Sequence, residues 1–206
     1  VFSGPATLYA LDARTGAVRW QNSDNTFGTF LSYSAEHDIL LQSGSRARDR
    51  ASDESGVGMV ARQGASGEIL WRELNRSFTG PCLLLKDRII TQGPAYSLLT
   101  GEGYFRINPI TGEVSPWVFT RNYGCNTVVG SQRLLTFRSG AAGFYDLQSD
   151  GGTSNLGGFK SSCTSNLIPA GGLLNAPDYT RTCICNYQNQ TSLALMHDPS
   201  VEQWSF

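Results

Sequence analysis

The feature that most constrains this chain is a sequence repeat. Residues 7–21 (TLYALDARTGAVRWQ) and 58–74 (GMVARQGASGEILWREL) align without gaps. Three positions agree, namely a small residue, a glycine and a tryptophan: Ala10 with Ala61, Gly16 with Gly67, and Trp20 with Trp71. Such self-similarity is typical of proteins that stack copies of one supersecondary unit.

Two weaker copies follow. Residues 103–119 keep the turn glycine as Gly112, but Trp117 falls one place late, directly after Pro116. Residues 143–159 keep Gly152 and have lost the tryptophan. Successive turn glycines are therefore spaced by roughly 40–50 residues, which is the period of β-propeller blades.

Each copy is predicted to be a β-hairpin. An alternating strand leads into a turn whose glycine supplies a positive φ, and a second strand carries the tryptophan. Upstream apolar runs at 37–44, 86–93 and 131–140 add strands, so each copy comprises four. A single sheet cannot bury both of its faces, and stacked copies can. The fold class is therefore predicted to be all-β, a propeller of four-stranded antiparallel blades.

Composition limits the kinds of binding partner and cellular location that are expected for this chain. The 206 residues are 40% hydrophobic, and their formal net charge is −1. This balance gives no electrostatic reason to expect nucleic acid, and no apolar run is long enough for a membrane span. Five cysteines favour an oxidising compartment, so the expected location is periplasmic, secreted or cell-surface.

The first copy resembles the tryptophan-docking motif of the pyrroloquinoline-quinone (PQQ) repeat family. The residues that carry the resemblance form an alanine, aspartate, threonine, glycine and tryptophan pattern: Ala10, Asp12, Thr15, Gly16 and Trp20. The second copy has Gln63 in place of the aspartate. The C-terminal half, over 121–195, is similar to planctomycete-type proteins with PQQ-like repeats.

The resemblance implies that residues 1–206 are a partial, quinoprotein-like propeller domain. Four to five blades fill this length, whereas PQQ-like propellers usually have six to eight, so the remaining blades are expected from the same polypeptide or another chain. The expected hairpins lie near 7–21, 58–74, 103–119 and 143–159, before a cysteine-rich closing region at 160–206. The implied docking residues, from all three tryptophan-bearing copies, are Ala10, Asp12, Gly16, Trp20, Ala61, Gly67, Trp71, Gly112 and Trp117.

A complete PQQ site is not expected. Family dehydrogenases hold calcium through carboxylate and amide oxygens and commonly carry a disulfide between adjacent cysteines, but here Ile184 separates Cys183 from Cys185. Asp146 and Asp178 show no spacing that aims them at one metal. No catalytic, cofactor-binding or metal-binding residue is assigned, and PQQ with calcium remains an alternative.

The cysteines allow two interpretations. Two thiolates spaced as Cys183 and Cys185 could reach a soft metal ion or form a redox pair. Disulfides are the alternative, and strand geometry places these two side chains on the same face. The candidates for disulfides are all five cysteines: Cys82, Cys125, Cys163, Cys183 and Cys185. Because the count is odd, one thiol is left over.

The functional hypothesis is a non-catalytic, extracytoplasmic propeller scaffold that binds protein or small-molecule ligands. One alternative is a fragment of a PQQ-dependent quinoprotein oxidoreductase, and a further one is a redox or metal-binding protein that uses the C-terminal cysteines. The charged segment at 46–55 is predicted to be a solvated loop. The run 121–125 is a candidate binding surface.

Overall fold

The computed structural model describes residues 6–27, 30–44, 55–108, 110–122, 124, 126–161, 166–177 and 192–200. Of the predicted loop at 46–55, only Ser55 is described. Four of the five cysteines lie outside these ranges. The described residues form nineteen strands and no helix, and every strand pairing between them is antiparallel. The predicted all-β class with four-stranded antiparallel sheets is therefore confirmed.

The chain divides into two compact units, Val1–Phe119 and Thr120–Phe206. The first unit opens with a two-stranded hairpin, formed by β1 (Leu8–Leu11) and β2 (Val18–Asn22). A four-stranded sheet follows, here called the first sheet: β3 (Phe30–Ser34), β4 (Ile39–Ser43), β5 (Met59–Gln63) and β6 (Ile69–Glu73), paired in that order.

The second sheet completes this unit, and β8 lies at its centre. Its members are β7 (Thr79–Leu85), β8 (Arg88–Pro94), β9 (Tyr96–Ser97) and β12 (Val118–Phe119). Between β9 and β12 the chain forms a separate hairpin, here called the inserted hairpin: β10 (Phe105–Ile107) and β11 (Val114–Pro116).

The second unit contains two sheets. The third sheet has four strands in sequence order: β13 (Val129–Gly130), β14 (Leu134–Ser139), β15 (Ala141–Asp146) and β16 (Thr153–Asn155). The C-terminal sheet has three: β17 (Ile168–Ala170), β18 (Leu173–Ala176) and β19 (Leu193–Met196).

The core of the first unit lies on the central strands of its two sheets. Leu41, Met59, Ile89 and Leu98 have no measurable exposure and belong to one apolar cluster. The first sheet is buried along β4 and β5, whereas its outer strands β3 and β6 show alternating or largely exposed residues. Each fully buried side chain of this size contributes about 1.5–3 kcal/mol, so this cluster, with members from both sheets, stabilises their packing.

The third predicted hairpin, at 103–119, forms around Gly112, but its strands β10 and β11 lie outside the second sheet. After the turn that follows β9, residues 102–104 pair with β9 as an outer strand of the second sheet. The chain then enters the inserted hairpin, which does not pair with that sheet. The chain returns at Trp117, whose backbone N–H donates to the Tyr104 carbonyl at 2.8 Å. Residues 102–104 and 117–119 are thus two halves of one outer strand, interrupted by residues 105–116.

Candidate functional site

Two tryptophans join successive elements of the first unit. Trp20 follows the β1–β2 turn, and its indole N–H donates to the Gly64 carbonyl of the first sheet at 2.8 Å. Trp71 repeats this contact one sheet further on, donating to the Leu98 carbonyl at 2.7 Å. A buried indole N–H needs such a partner, so each bond fixes the orientation of its ring.

Each tryptophan ring also lies against a glycine of the turn that it bonds. A Cβ added at Gly67 would stand 2.6 Å from the Trp20 ring, and one at Gly101 would stand 2.7 Å from the Trp71 ring. Both glycines have φ near +75°, so the position also requires a left-handed backbone. Here a tryptophan joint means this pair of contacts, the N–H bond and the ring on glycine.

The turn that receives Trp71 was not found in the sequence. The repeat alignment selected Gly112, whereas the structure places the Trp71 ring on Gly101, in the segment Ser97–Glu102. Gly112 does turn the chain with φ +71°, but it lies at the tip of the inserted hairpin, with open space around it. A Thr-Gly pair stands at 100–101 as well, and that signal could have identified the turn.

One hydrogen-bond pattern defines these turns. At Asp12 the carbonyl accepts from Gly16 N at 2.8 Å, while the carboxylate accepts from Arg14 N and Thr15 N at 3.1 and 2.9 Å. Asp12 also forms a 2.7 Å ion pair with Arg19, which is the first cause of its strongly lowered pKa. The aspartate of the motif is thus a cap for the turn backbone.

The second turn keeps its cap although Gln63 replaces the aspartate. The carboxylate comes instead from Asp38, in the β3–β4 turn, and accepts from Ala65 N at 3.0 Å and from the Gln63 amide at 2.7 Å. Tyr33 donates to the other carboxylate oxygen at 2.7 Å. These bonds, the tyrosine hydroxyl first, lower the pKa of Asp38.

Register identifies Trp117 as the third member of the tryptophan series. Ala10 lies opposite Trp20, and Ala61 opposite Trp71. Ala95 occupies the same place relative to its turn, and its N–H donates to the Trp117 carbonyl at 3.0 Å. With residues 105–116 set aside, Trp117 follows its turn glycine by the same interval as the other two tryptophans. Trp117 is 1% exposed.

The fourth copy has the turn without the tryptophan. Asp146 caps it by accepting from Gln148 N at 2.9 Å, and Asp150 takes the left-handed position at φ +51°. The residue in the tryptophan register is Ser154, which lies opposite Phe144. Asp146 is therefore a turn cap, and its pKa is lowered chiefly by the Gln148 N–H.

Cys82 is the one disulfide candidate among the described residues. It is 5% exposed, it carries a free thiol, and burial raises its pKa to about 12. The remaining candidates lie outside the described residues: Cys125, Cys163, Cys183 and Cys185. The disulfide scheme for those four stays a prediction.

An apolar cleft of about 630 Å³ lies in the second unit, between the third sheet and the C-terminal sheet. Its lining is mostly aliphatic and aromatic, and its apolar members include Leu134, Phe144, Leu156, Leu167, Leu174 and Leu195. Leu156 and Leu195 are 51% and 37% exposed, so large side chains at the cleft are accessible to solvent. Sites for small organic ligands have this size and composition.

Hydrogen bonds hold the cleft walls and occupy hydroxyl groups of the lining. Thr136 on β14 donates to the Leu167 carbonyl at 2.7 Å, which ties the third sheet to the start of β17. The Ser131 hydroxyl caps the β13–β14 turn, donating to the Leu134 carbonyl and accepting from the Leu134 N–H, both at 3.1 Å. These walls are therefore preformed, and the hydroxyl hydrogens of Ser131 and Thr136 already have acceptors within the wall.

The other predicted surface, 121–125, is only partly described, since Tyr123 and Cys125 lie outside. Arg121 donates to the Asn126 side-chain oxygen at 3.2 Å and to the Arg138 carbonyl at 3.3 Å. Asn126 is 5% exposed and donates to Ser161 at 3.0 Å. Within the described residues, Arg121 therefore supports a buried polar network.

Among the described residues, no group of three or more histidine, cysteine or acidic side chains could hold a metal ion. The same residues contain no helix that is long and apolar enough to cross a membrane.

No protein-family model matches the chain, and none of the curated proteins is significantly similar to it. Among solved structures, the chain is similar to BamB from Moraxella catarrhalis, with 17% identity and a TM-score of 0.48. The match covers 84% of this chain and 53% of the other, so this chain spans about half the length of that structure.

Proposed function

We propose that this chain is part of a non-catalytic β-propeller scaffold whose C-terminal half binds an apolar ligand. Repeated four-stranded antiparallel sheets support the propeller, because such sheets stack as blades. The tryptophan joints support it too, since each connects one sheet or hairpin to the turn of the next. The remaining blades come from the same polypeptide or from another chain.

The cleft is the observation that carries ligand binding. It combines a volume of about 630 Å³ with an accessible apolar lining and fixed walls. Exposed apolar surface is unfavourable in water, and a cleft of this kind becomes more stable when a ligand covers it. The scaffold is proposed to act outside the cytoplasm, which the number of cysteines supports.

Dye binding tests this function. Nile red is neutral and fluoresces strongly in apolar sites, so we expect the protein to enhance and blue-shift its emission. Leu156→Arg places a charge at the cleft and should weaken dye binding at least tenfold. Leu99→Arg is the matched control, because Leu99 is 48% exposed against 51% for Leu156 and lies in the first unit.

The control variant should bind the dye like the unmodified protein. Equal loss in both variants, or no dye binding by the unmodified protein, would remove the cleft as a ligand site. Circular dichroism of each variant establishes that it is folded.

A further inference from the structure

The ionisable residues of the cleft lining are both basic, and two aspartates outside the lining interact with them electrostatically: Asp146 with Arg133, and Asp198 with His197. The lining contains no aspartate or glutamate, and its two ionisable residues are Arg133 and His197. Both are exposed, and both belong to strand ends: Arg133 lies in the β13–β14 turn, and His197 directly follows β19. A cleft with apolar walls and basic groups at strand ends complements an apolar molecule that has an anionic head.

Arg133 is held in place through its backbone. Its carbonyl accepts from Leu147 N at 2.8 Å, so the turn that carries it is bonded to the turn after β15. His197 lies at the end of the C-terminal sheet where the Gly171–Gly172 turn joins β17 to β18, because Met196 pairs with Leu173. Arg133 and His197 thus both lie beside strand ends at the cleft, and both belong to its lining.

The lining favours an alkyl chain over a peptide. A peptide brings backbone carbonyls that need donors, whereas the hydroxyl hydrogens of Ser131 and Thr136 are already donated within the wall. A hydrocarbon chain needs no such partners and gains from contact with the leucines. A guanidinium binds a carboxylate through two parallel hydrogen bonds.

We propose that the cleft binds a monomeric long-chain carboxylate, with its hydrocarbon chain on the leucines and its head group on Arg133. This inference rests on the proposed ligand-binding function. The proposed ligand is the carboxylate dissolved in water. Binding of a lipid embedded in a bilayer is an alternative outcome that the test distinguishes.

Competition with bound Nile red tests the head group separately from the cleft. Below the critical micelle concentration of dodecanoate and the solubility limit of dodecanol, we expect dodecanoate to displace the dye at concentrations at least tenfold lower than dodecanol does. Charge-assisted hydrogen bonds are strong enough for a difference of this order. Arg133→Gln should abolish the preference and leave displacement by dodecanol unchanged, and Arg72→Gln, an exposed arginine of the first unit, is the control.

The outcomes separate the two proposals. If the dye binds but dodecanoate and dodecanol displace it equally, the carboxylate inference is wrong and the apolar site remains. If the dye does not bind, both are wrong. Stronger competition by an apolar peptide than by dodecanoate, or binding to anionic phospholipid vesicles without competition by dodecanoate, would also overturn the inference.

Discussion

At the scale of single residues, the turn glycines fall into two kinds. Gly16 and Gly112 have φ values of +73° and +71° with no atom near the place of an added Cβ. Gly67 and Gly101 have nearly the same φ, but a tryptophan ring occupies that place. The first kind needs glycine for the backbone alone, whereas the second needs it for packing as well.

Alanine substitution should separate these two requirements. Gly16→Ala should cost about 1–2 kcal/mol, which is the penalty of a left-handed backbone for a residue with a Cβ. Gly67→Ala should cost about 1–3 kcal/mol more, because its Cβ must displace the Trp20 ring. Urea unfolding monitored by tryptophan fluorescence measures both. Equal losses in the two variants would show that the ring contact contributes nothing.

Cys82 provides a second prediction, on the odd cysteine. Its burial and high pKa should protect it from thiol reagents in the folded protein. If the other four cysteines form disulfides, titration in denaturant without reductant should find one thiol per chain, and Cys82→Ser should remove it. Five thiols in denaturant would contradict the disulfide scheme.

The first turn is capped by its own Asp12, whereas the second is capped by Asp38 from a different turn. Sequence comparison could not reveal this difference. Gln63 stands where the motif has an aspartate, so the alignment indicates a lost cap. The replacement carboxylate comes from Asp38, on another strand pair, and only the β4–β5 pairing brings it to the turn. A local motif carries no information about such a distant partner.

Asp38 gives a pH prediction. Its pKa is lowered in the folded protein, so its contribution to stability is complete above the ordinary aspartate pKa of about 3.9 and is lost as the pH falls through the lowered value. Asp38→Asn should therefore reduce the loss of stability on acidification, as measured by urea midpoints at pH 7 and in acid. Asp87→Asn, in the equivalent turn of the second sheet, is the matched control. An unchanged acid dependence in Asp38→Asn would contradict this role.

At the scale of elements, the outer strand of the second sheet is interrupted by the inserted hairpin, and its two halves meet at the base of that hairpin. Tyr104 and Trp117 are neighbours through a 2.8 Å backbone hydrogen bond, although twelve residues separate them. The inserted hairpin exposes large apolar side chains, with Ile107 at 68% and Ile110 at 92%. The hairpin thus adds exposed apolar surface and no strand to the sheet.

Removal of the insertion is therefore expected to be tolerated. Deleting residues 105–116 and joining Tyr104 to Trp117 should change the free energy of unfolding by about 1 kcal/mol or less, because the strand pairs on both sides remain. Solubility should rise as exposed apolar area is lost. Thermal unfolding and light scattering measure the two effects. A two-glycine bridge in place of the direct bond provides a second variant, and failure of both to fold would show that the hairpin is structural.

The same insertion explains how far the sequence predicted the fold. The hairpins at 7–21 and 58–74 are predictable from the sequence because no insertion separates the turn glycine from the tryptophan there. In the third copy the insertion separates Gly101 from Trp117, so the alignment matched the wrong glycine, at Gly112. The apolar cleft was not predicted, because its lining comes from two sheets and has no local motif.

At the scale of the whole molecule, the scaffold proposal predicts the absence of quinoprotein chemistry. Addition of PQQ, calcium and a primary alcohol as the electron donor to the purified chain should give no reduction of an artificial electron-acceptor dye, and PQQ with calcium should give no rise in melting temperature. An authentic quinoprotein dehydrogenase in the same assay is the positive control. Dye reduction by this chain would contradict the non-catalytic assignment.

The interrupted strand also has a practical consequence. Its two ends, Tyr104 and Trp117, are bonded to each other, so they hold the entry and exit of any guest segment at one fixed separation. A foreign peptide exchanged for residues 105–116 would be presented as a constrained loop, with its ends already brought together. This position is therefore a suitable site for epitope grafting and peptide display.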